Sequence, residues 1–394
     1  MVATVGCGKD IRYTLPPVPS TVAPKITTAP APLSTDARRA TTTAARRVGT
    51  LPGSPTTAAR AVTTTVATVP WANVTANLVG LSSECGNLSF VSARPDRDSV
   101  IVGVAQQGLW ASDNDAASWT KIGQGAGSSE ITNRTSSLVY DPTTPDVYWE
   151  SGLYNGNAVY KTTDGGATFR PLGSIVSSDQ VSVDLSDPAR KTLLAVQHER
   201  LELQRSADGG KTWANIAASV PRTAGLSLGT LVVDDKTYLL GTHTGSEAGI
   251  FRTTDSGATW TKVFAVGVAG APVVSRSGGA IYWMLEGGVG LVKSVDKGVT
   301  WTTATPAGVF SPVATGVVEL PDGRLAALSR TVIISADGGA KWRALGPGLP
   351  YLPNGLVYAP FRKAFYIWRF ECGPGALPVA DNAVMRIPFD YQAP

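Results

Sequence analysis

One eight-residue phrase recurs at nearly even spacing along this 394-residue chain. It reads TTDGGATF at 162–169, SADGGKTW at 206–213, TTDSGATW at 253–260, SVDKGVTW at 294–301 and SADGGAKW at 335–342. A degenerate copy, SDNDAASW, occupies 112–119. The closing aromatics Trp119, Phe169, Trp213, Trp260, Trp301 and Trp342 stand 50, 44, 47, 41 and 41 residues apart. That period suits one four-stranded blade per copy, and therefore an all-β propeller. Upstream of each octet, two apolar runs are split by a turn-forming cluster: ARPDRDS (93–99), DPTTPD (141–146), SDPARKT (186–192), VDDKT (233–237), RSGGA (276–280) and LPDGR (320–324). Each fits the hairpin between the first two strands of a blade.

A further cluster, APFRKA (359–364), opens a seventh blade that continues through NAVMRIPFD and then lacks a fourth strand. The missing strand is expected from the other end. PWANVTANL (70–78), with Trp71 in the aromatic position, matches the pattern of KTWANIAAS (211–219), the end of an octet with its following strand. Pairing of this segment into the last blade closes the ring and removes exposed strand edges. The expectation is a seven-bladed β-propeller over 70–394, closed by an N-terminal strand.

Residues 1–69 read differently. They carry eight Lys/Arg (Lys9, Arg12, Lys25, Arg38, Arg39, Arg46, Arg47, Arg60) against Asp10 and Asp36, so +6 of the net +4, leaving −2 for 70–394. A Pro/Thr-rich tract with almost no aromatics cannot bury enough surface to offset ordering, and a disordered tether is expected. The basic charge belongs to this tract, so no nucleic-acid partner is expected. Thr4-Val5-Gly6-Cys7 resembles a bacterial lipoprotein cleavage site, which implies lipidation at Cys7 as the sole membrane contact and an extracytoplasmic location. No apolar run approaches the roughly 20 residues of a membrane span. Cys85 falls before the first blade and Cys372 between strands two and three of the last, connections that share one face of a propeller. A Cys85–Cys372 bridge would close nearly the whole domain, contribute about 4–5 kcal/mol, and require an oxidising compartment.

In each octet an acid (Asp164, Asp208, Asp255, Asp296, Asp337) precedes a glycine by two residues. The carboxylate is placed to accept backbone N–H groups and the glycine to take positive φ. One carboxylate per loop is far short of the 6–8 oxygens of Ca²⁺. In the degenerate copy Asn114 and Ala116 take these places, and a weaker or differently turned hairpin is expected. The phrase S-x-D-x-G-x-T-W resembles the Asp-box, or BNR, repeat of sialidases, xyloglucan-degrading enzymes, sortilin-type receptors and a photosystem assembly factor. The resemblance implies a sialidase-like propeller fold; it implies no single activity, because these families differ in what they do. Sialidases carry Arg-Ile-Pro near the first blade, whereas here it occurs only at Arg386-Ile387-Pro388, in the last strand. Sialidase activity is therefore not expected, and the xyloglucanase pattern, which uses two propellers, is expected to fit poorly with the single one read here.

If the octets mark one face, chemistry belongs on the other, where second strands end. Those ends read GVAQQG (103–108), YWESG (148–152), VQHER (196–200), GTHTGSE (241–247), YWMLEGG (282–288), LSRT (328–331) and WRFEC (368–372). They supply Glu150, His198, Glu199, His243, Glu286, Arg330, Arg369 and Glu371 as catalytic candidates. Trp149, Tyr154, Trp283 and Trp368 are the candidates for stacking on sugars. Glu247 and Arg200 join the same rim. Two carboxylates could hydrolyse a glycoside. Histidine with Tyr154 and an arginine could remove a proton beside a uronate carboxylate. His198 and His243 with Glu150 or Glu199 could hold a divalent metal; no other cofactor is expected. The reading is a monomeric, secreted or surface-tethered propeller acting on a polysaccharide or glycoconjugate as hydrolase or lyase. The alternative is a non-catalytic module that binds a protein or glycan.

Overall fold

The computed structural model describes residues 69–83, 88–369 and 383–391. The N-terminal tract with Cys7, both members of the expected Cys85–Cys372 pair, and Glu371 lie outside the described residues. Seven four-stranded antiparallel sheets form the seven blades of a β-propeller. Blades one to six run consecutively, from Leu88–Ala93 as the first strand of blade one to Arg343–Leu345 as the fourth of blade six. Blade seven takes Gly355–Ala359, Ala364–Trp368 and Val384–Pro388 from the end of the chain and Ala72–Asn73 from its beginning. Ala72 pairs with Arg386 and Asn73 with Met385, so the ring closes as the repeat pattern requires.

Second strands such as Val100–Val104, Leu193–Gln197 and Ile281–Leu285 are buried at every position, because each blade is covered on both faces by its neighbours. Among the described residues, seven apolar clusters fall at the blade boundaries. One example joins Trp149 and Val159 of blade two to Val181 and Leu193 of blade three.

The octets are turns that fasten each blade to the one before it. In all five good copies the Ser/Thr hydroxyl bonds the Asp and accepts the amide of the following glycine, from Gly166 N to Thr162 Oγ1 (3.0 Å) through Gly339 N to Ser335 Oγ (2.9 Å). The Asp accepts an amide four residues on, as with Thr212 N to Asp208 Oδ1 (3.0 Å) and Lys341 N to Asp337 Oδ1 (2.8 Å). Gly166, Gly210, Gly257, Gly298 and Gly339 have φ between +79° and +99°, a region L-residues rarely occupy. The closing aromatic then reaches the preceding blade: Trp213 Nε1 donates to Leu172 O (3.0 Å) and Trp260 Nε1 to Ile216 O (2.8 Å). The degenerate copy is not differently turned. Asn114 Oδ1 accepts Ser118 N (3.1 Å), Ala116 N donates to Ser112 Oγ (3.0 Å), and Ala116 itself takes φ 59°. Its Trp119 Nε1 donates to Val74 O (3.0 Å) beside the ring-closing strand.

Candidate functional site

First-to-second and third-to-fourth strand hairpins share the octet face; second-to-third connections open on the other. On that second face a cluster spans blades two and three. His198 follows the second strand of blade three, Leu193–Gln197, and Tyr154 follows that of blade two, Tyr148–Leu153. His198 Nδ1 donates to Asp179 Oδ1 at 2.8 Å, while Nε2 lies 3.1 Å from the Tyr154 hydroxyl. Glu199 Oε1 stands 3.6 Å from the same Nε2, and the Arg134 guanidinium lies 6.0 Å from the Tyr154 ring centre. Tyr154 is 46% exposed, so its phenol is open to a ligand.

Local backbone explains the convergence. Asp179 is the extra residue of a β-bulge between Ser178 and Gln180, and a bulge re-aims its side chain out of strict alternation. Tyr154, Ser177 and Glu199 all have positive φ (66°, 50° and 56°), a costly conformation for non-glycine residues and one that gathers at functional sites. Ser177 ties Tyr154 to His198: its Oγ accepts Tyr154 N (2.8 Å) and its carbonyl accepts His198 N (2.9 Å). Burial would pull the His198 pKa down, but the hydrogen bond and charge of Asp179, with Glu199 beside it, raise it above its usual value. This Asp–His–Tyr chain holds the imidazole in one orientation against an exposed phenol, a geometry through which a proton can pass between the two.

A second pair lies one blade further on. His243 Nδ1 is 3.7 Å from Glu286 Oε1, and Thr244 N donates to Glu286 Oε2 at 3.4 Å. A Cβ on Gly267 would lie 2.8 Å from that same oxygen, so the glycine makes room for the carboxylate. Glu247 receives the Thr223 hydroxyl nearby. Arg330 is exposed in the turn after the second strand of blade six, and Arg369 is half-buried after that of blade seven. Each histidine thus has its own carboxylate, and among the described residues no three His, Cys, Asp or Glu side chains gather as a metal-ligand set.

Four expected rim residues sit elsewhere. Trp149, Trp283 and Trp368 are buried between blades; Trp283 Nε1 donates to Gly270 O (3.0 Å) and Trp368 Nε1 to Ser89 O (3.3 Å). They pack the interior and present no ring for a sugar to stack on. Glu150 is fully buried, with Asn133 Nδ2 donating to Oε2 at 3.2 Å. Burial pushes its pKa up to about 8, so it is held neutral and out of reach of any substrate. Asp179 and Arg134, which complete the cluster, were not among the expected residues. An open groove of about 480 Å³ on the octet side carries less chemistry, because its Arg190 and Asp141 already bind each other.

No family model matches the chain. Over 154 residues it is 29% identical to the dispase autolysis-inducing protein of Streptomyces mobaraensis, a match covering 39% of this chain and 39% of that relative's length. Among solved structures it is similar to a catalytically inactive virginiamycin B lyase from Staphylococcus aureus crystallised with quinupristin. The TM-score is 0.56 at 12% identity, over 80% of this chain and 98% of the lyase. The extracellular domain of a protein described as a one-component system from B. thetaiotaomicron gives 0.53 at 9% identity, over 80% of this chain and 40% of that one. At such identities the likeness is one of fold: this chain is a seven-bladed β-propeller. Among the described residues no helix is long and apolar enough to cross a membrane.

Proposed function

We propose that the protein is an extracytoplasmic propeller that acts on acidic glycans by acid–base chemistry at the mouth opposite the octets. The observation that carries this reading is the hydrogen-bonded chain Asp179–His198–Tyr154, built across two blades and ending in an exposed phenol. The reaction it suits is β-elimination beside a uronate carboxylate. Above the raised pKa of His198, where the imidazole is neutral and Nε2 accepts, Tyr154 oxygen takes the proton from the carbon next to the carboxylate as its own proton passes to His198 Nε2. The freed electron pair forms the C=C bond, the C–O bond to the leaving sugar breaks, and the proton on His198 returns to that oxygen through Tyr154. Asp179 stabilises the transient imidazolium, and the Arg134 charge suits the substrate carboxylate. We assign the octets to the Asp-box class on their shared hydrogen-bond pattern, with a structural role only.

The test is turnover of a panel of polyuronates, followed by the ultraviolet absorbance of the new double bond. Wild type should cleave at least one, while His198→Ala and Tyr154→Phe should lose at least about 10²-fold in kcat with unchanged thermal melts. Absence of turnover across the panel, or full activity in His198→Ala, would overturn the reading. A second reading has its own support. The relative from Streptomyces mobaraensis is named for inducing autolysis of a protease, and by analogy this chain would bind a protein on the same face. Pull-down of a secreted protease by wild type, lost in Tyr154→Ala, would favour it.

A further inference from the structure

In blades two to five a cation stands immediately before the octet: Lys161, Arg205, Arg252 and Lys293. Those of blades three to five are engaged locally. Arg205 Nε donates to the Tyr238 hydroxyl (2.7 Å) and Arg252 Nε to Lys297 O (3.1 Å), each reaching into the blade that follows. Lys293 lies over its cross-strand neighbour Tyr282, 5.4 Å from the ring centre. A Cβ on Gly338 of the next octet would come within 3.5 Å of Lys293 Nζ, so that turn closes over it. Lys161 differs because of what blade three offers it. The second strand of the following blade begins with Tyr238 for Arg205 but with Leu193 for Lys161, and leucine has no acceptor. Among the described residues the Lys161 ammonium makes no hydrogen bond or ion pair. It rests 4.9 Å from the centre of the buried Trp149 ring.

That ammonium lines the groove of about 480 Å³ between blades two and three. The other polar groups there are committed. Arg190 gives Nε and Nη2 to Asp141, and Nη1 to the carbonyls of Leu185 and Asp187. The Thr143 hydroxyl donates to Asp141 and the Ser186 hydroxyl to Asp184. One acid, Asp141, against two cations leaves the lining with a surplus positive charge, which sits on Lys161. Burial pulls the Lys161 pKa below its ordinary value, with the Asp141 charge opposing and the Arg190 charge adding. A half-buried ammonium without an acceptor is disfavoured, and an anion in the groove would relieve that cost. Beside it the groove offers the Thr144 hydroxyl and an apolar wall of Val147, Leu185, Pro188 and Ala189.

We propose that this groove on the octet face binds a small monocarboxylate, its charge on Lys161 and its short apolar body against Leu185 and Pro188. A carboxylate with an aliphatic body uses both parts of the lining. A phosphate presents more acceptor oxygens than one ammonium and one hydroxyl serve well. The volume falls in the range that holds small ligands. The site lies on the face away from His198, so it stands or falls independently of the reading given above.

The experiment is an NMR titration of the full chain with acetate, pentanoate, pentanamide and inorganic phosphate. It follows the Lys161 side-chain methylene signals, assigned by their loss in Lys161→Met. Pentanoate should saturate the site and bind more tightly than acetate. When bound it should raise the titration midpoint of Lys161, because an opposite charge favours the ammonium. Lys161→Met should weaken pentanoate about 10-fold or more with an unchanged thermal melt, while Lys161→Arg should retain most of the affinity. Arg205→Met, the equivalent place one blade on, should leave binding as it is. Pentanoate binding that is absent, matched by the amide, matched or exceeded by phosphate, or unaltered in Lys161→Met would overturn the proposal. The midpoint shift is read on wild type, so an unmoved midpoint at saturation would overturn it even where a variant fails to fold.

Discussion

Tyr154 and His198 meet across a blade boundary, rings edge to face with centroids 5.2 Å apart and the phenol oxygen 3.1 Å from Nε2. Neither blade alone could make this pair, so its integrity reports on how blades two and three are docked.

The first prediction concerns the charge on that histidine. With Asp179 raising its pKa, His198 should stay protonated to higher pH than an ordinary imidazole. The sign follows from linkage: a raised folded pKa stabilises the fold fully below the unfolded value of about 6.5, and this part is lost as pH rises through the folded one. Asp179→Asn should lower the titration midpoint of His198 in an NMR titration and flatten the stability difference between mildly acidic and alkaline pH. An unmoved midpoint would remove Asp179 from the chain.

Glu150 gives a prediction of opposite consequence. Its folded pKa near 8 means that the native state retains a proton which the unfolded chain releases above about 4.5, so stability declines between these values. Buried Asn133 Oδ1, Thr135 Oγ1 and Glu150 Oε1 lack partners, which leaves room for a donor. Glu150→Gln should therefore stabilise the protein by about 3 kcal/mol at pH 7 and by nearly nothing at pH 4. Urea denaturation at the two pH values measures the difference.

Arg190 and Asp141 bind blade three to blade two on the octet side, Nε to Oδ2 at 2.8 Å and Nη2 to Oδ1 at 3.1 Å, with both side chains under a tenth exposed. The Arg190 hydrogen bond holds the Asp141 carboxyl well below the usual range against the opposing effect of burial. Its contribution is thus present above about pH 4 and lost on further acidification. Arg190→Ala leaves a buried carboxylate without its partner and should cost about 3 kcal/mol or more, read by urea denaturation at pH 7. A double variant, Arg190→Met with Asp141→Leu, should recover much of that.

The tryptophans and the tyrosine should separate cleanly. Trp283→Ala empties an inter-blade cluster and should cost about 3–5 kcal/mol. Tyr154→Ala removes an exposed ring and should alter stability little while abolishing ligand binding. Calorimetry and binding measured on the same two samples check both halves.

The contrast between Trp283 and Tyr154 shows what was legible in the chain and what was not. Blade number, hairpin positions and ring closure follow from local turn chemistry, which each octet writes in eight residues. The mouth follows from topology, which is why His198, Tyr154, Arg330 and Arg369 could be placed on one face beforehand. Trp149, Glu150 and Trp283 could not be placed, because middle strands are buried on both sides and show no in–out alternation to read. Asp179 was hidden for a different reason: a bulge decides where it points, and SSDQVSV carries no mark of that bulge.

The strand borrowed from residues 72 and 73 has a consequence for how the chain matures. Val74 N donates to Val384 O (2.9 Å) and Val384 N to Thr75 Oγ1 (3.0 Å), contacts more than 300 residues apart. During synthesis the first of these partners must wait for nearly the whole domain before the second exists. A product cut short before Val384 would leave both edges of the disc open to other strands, so a closed ring reports synthesis at least as far as Val384.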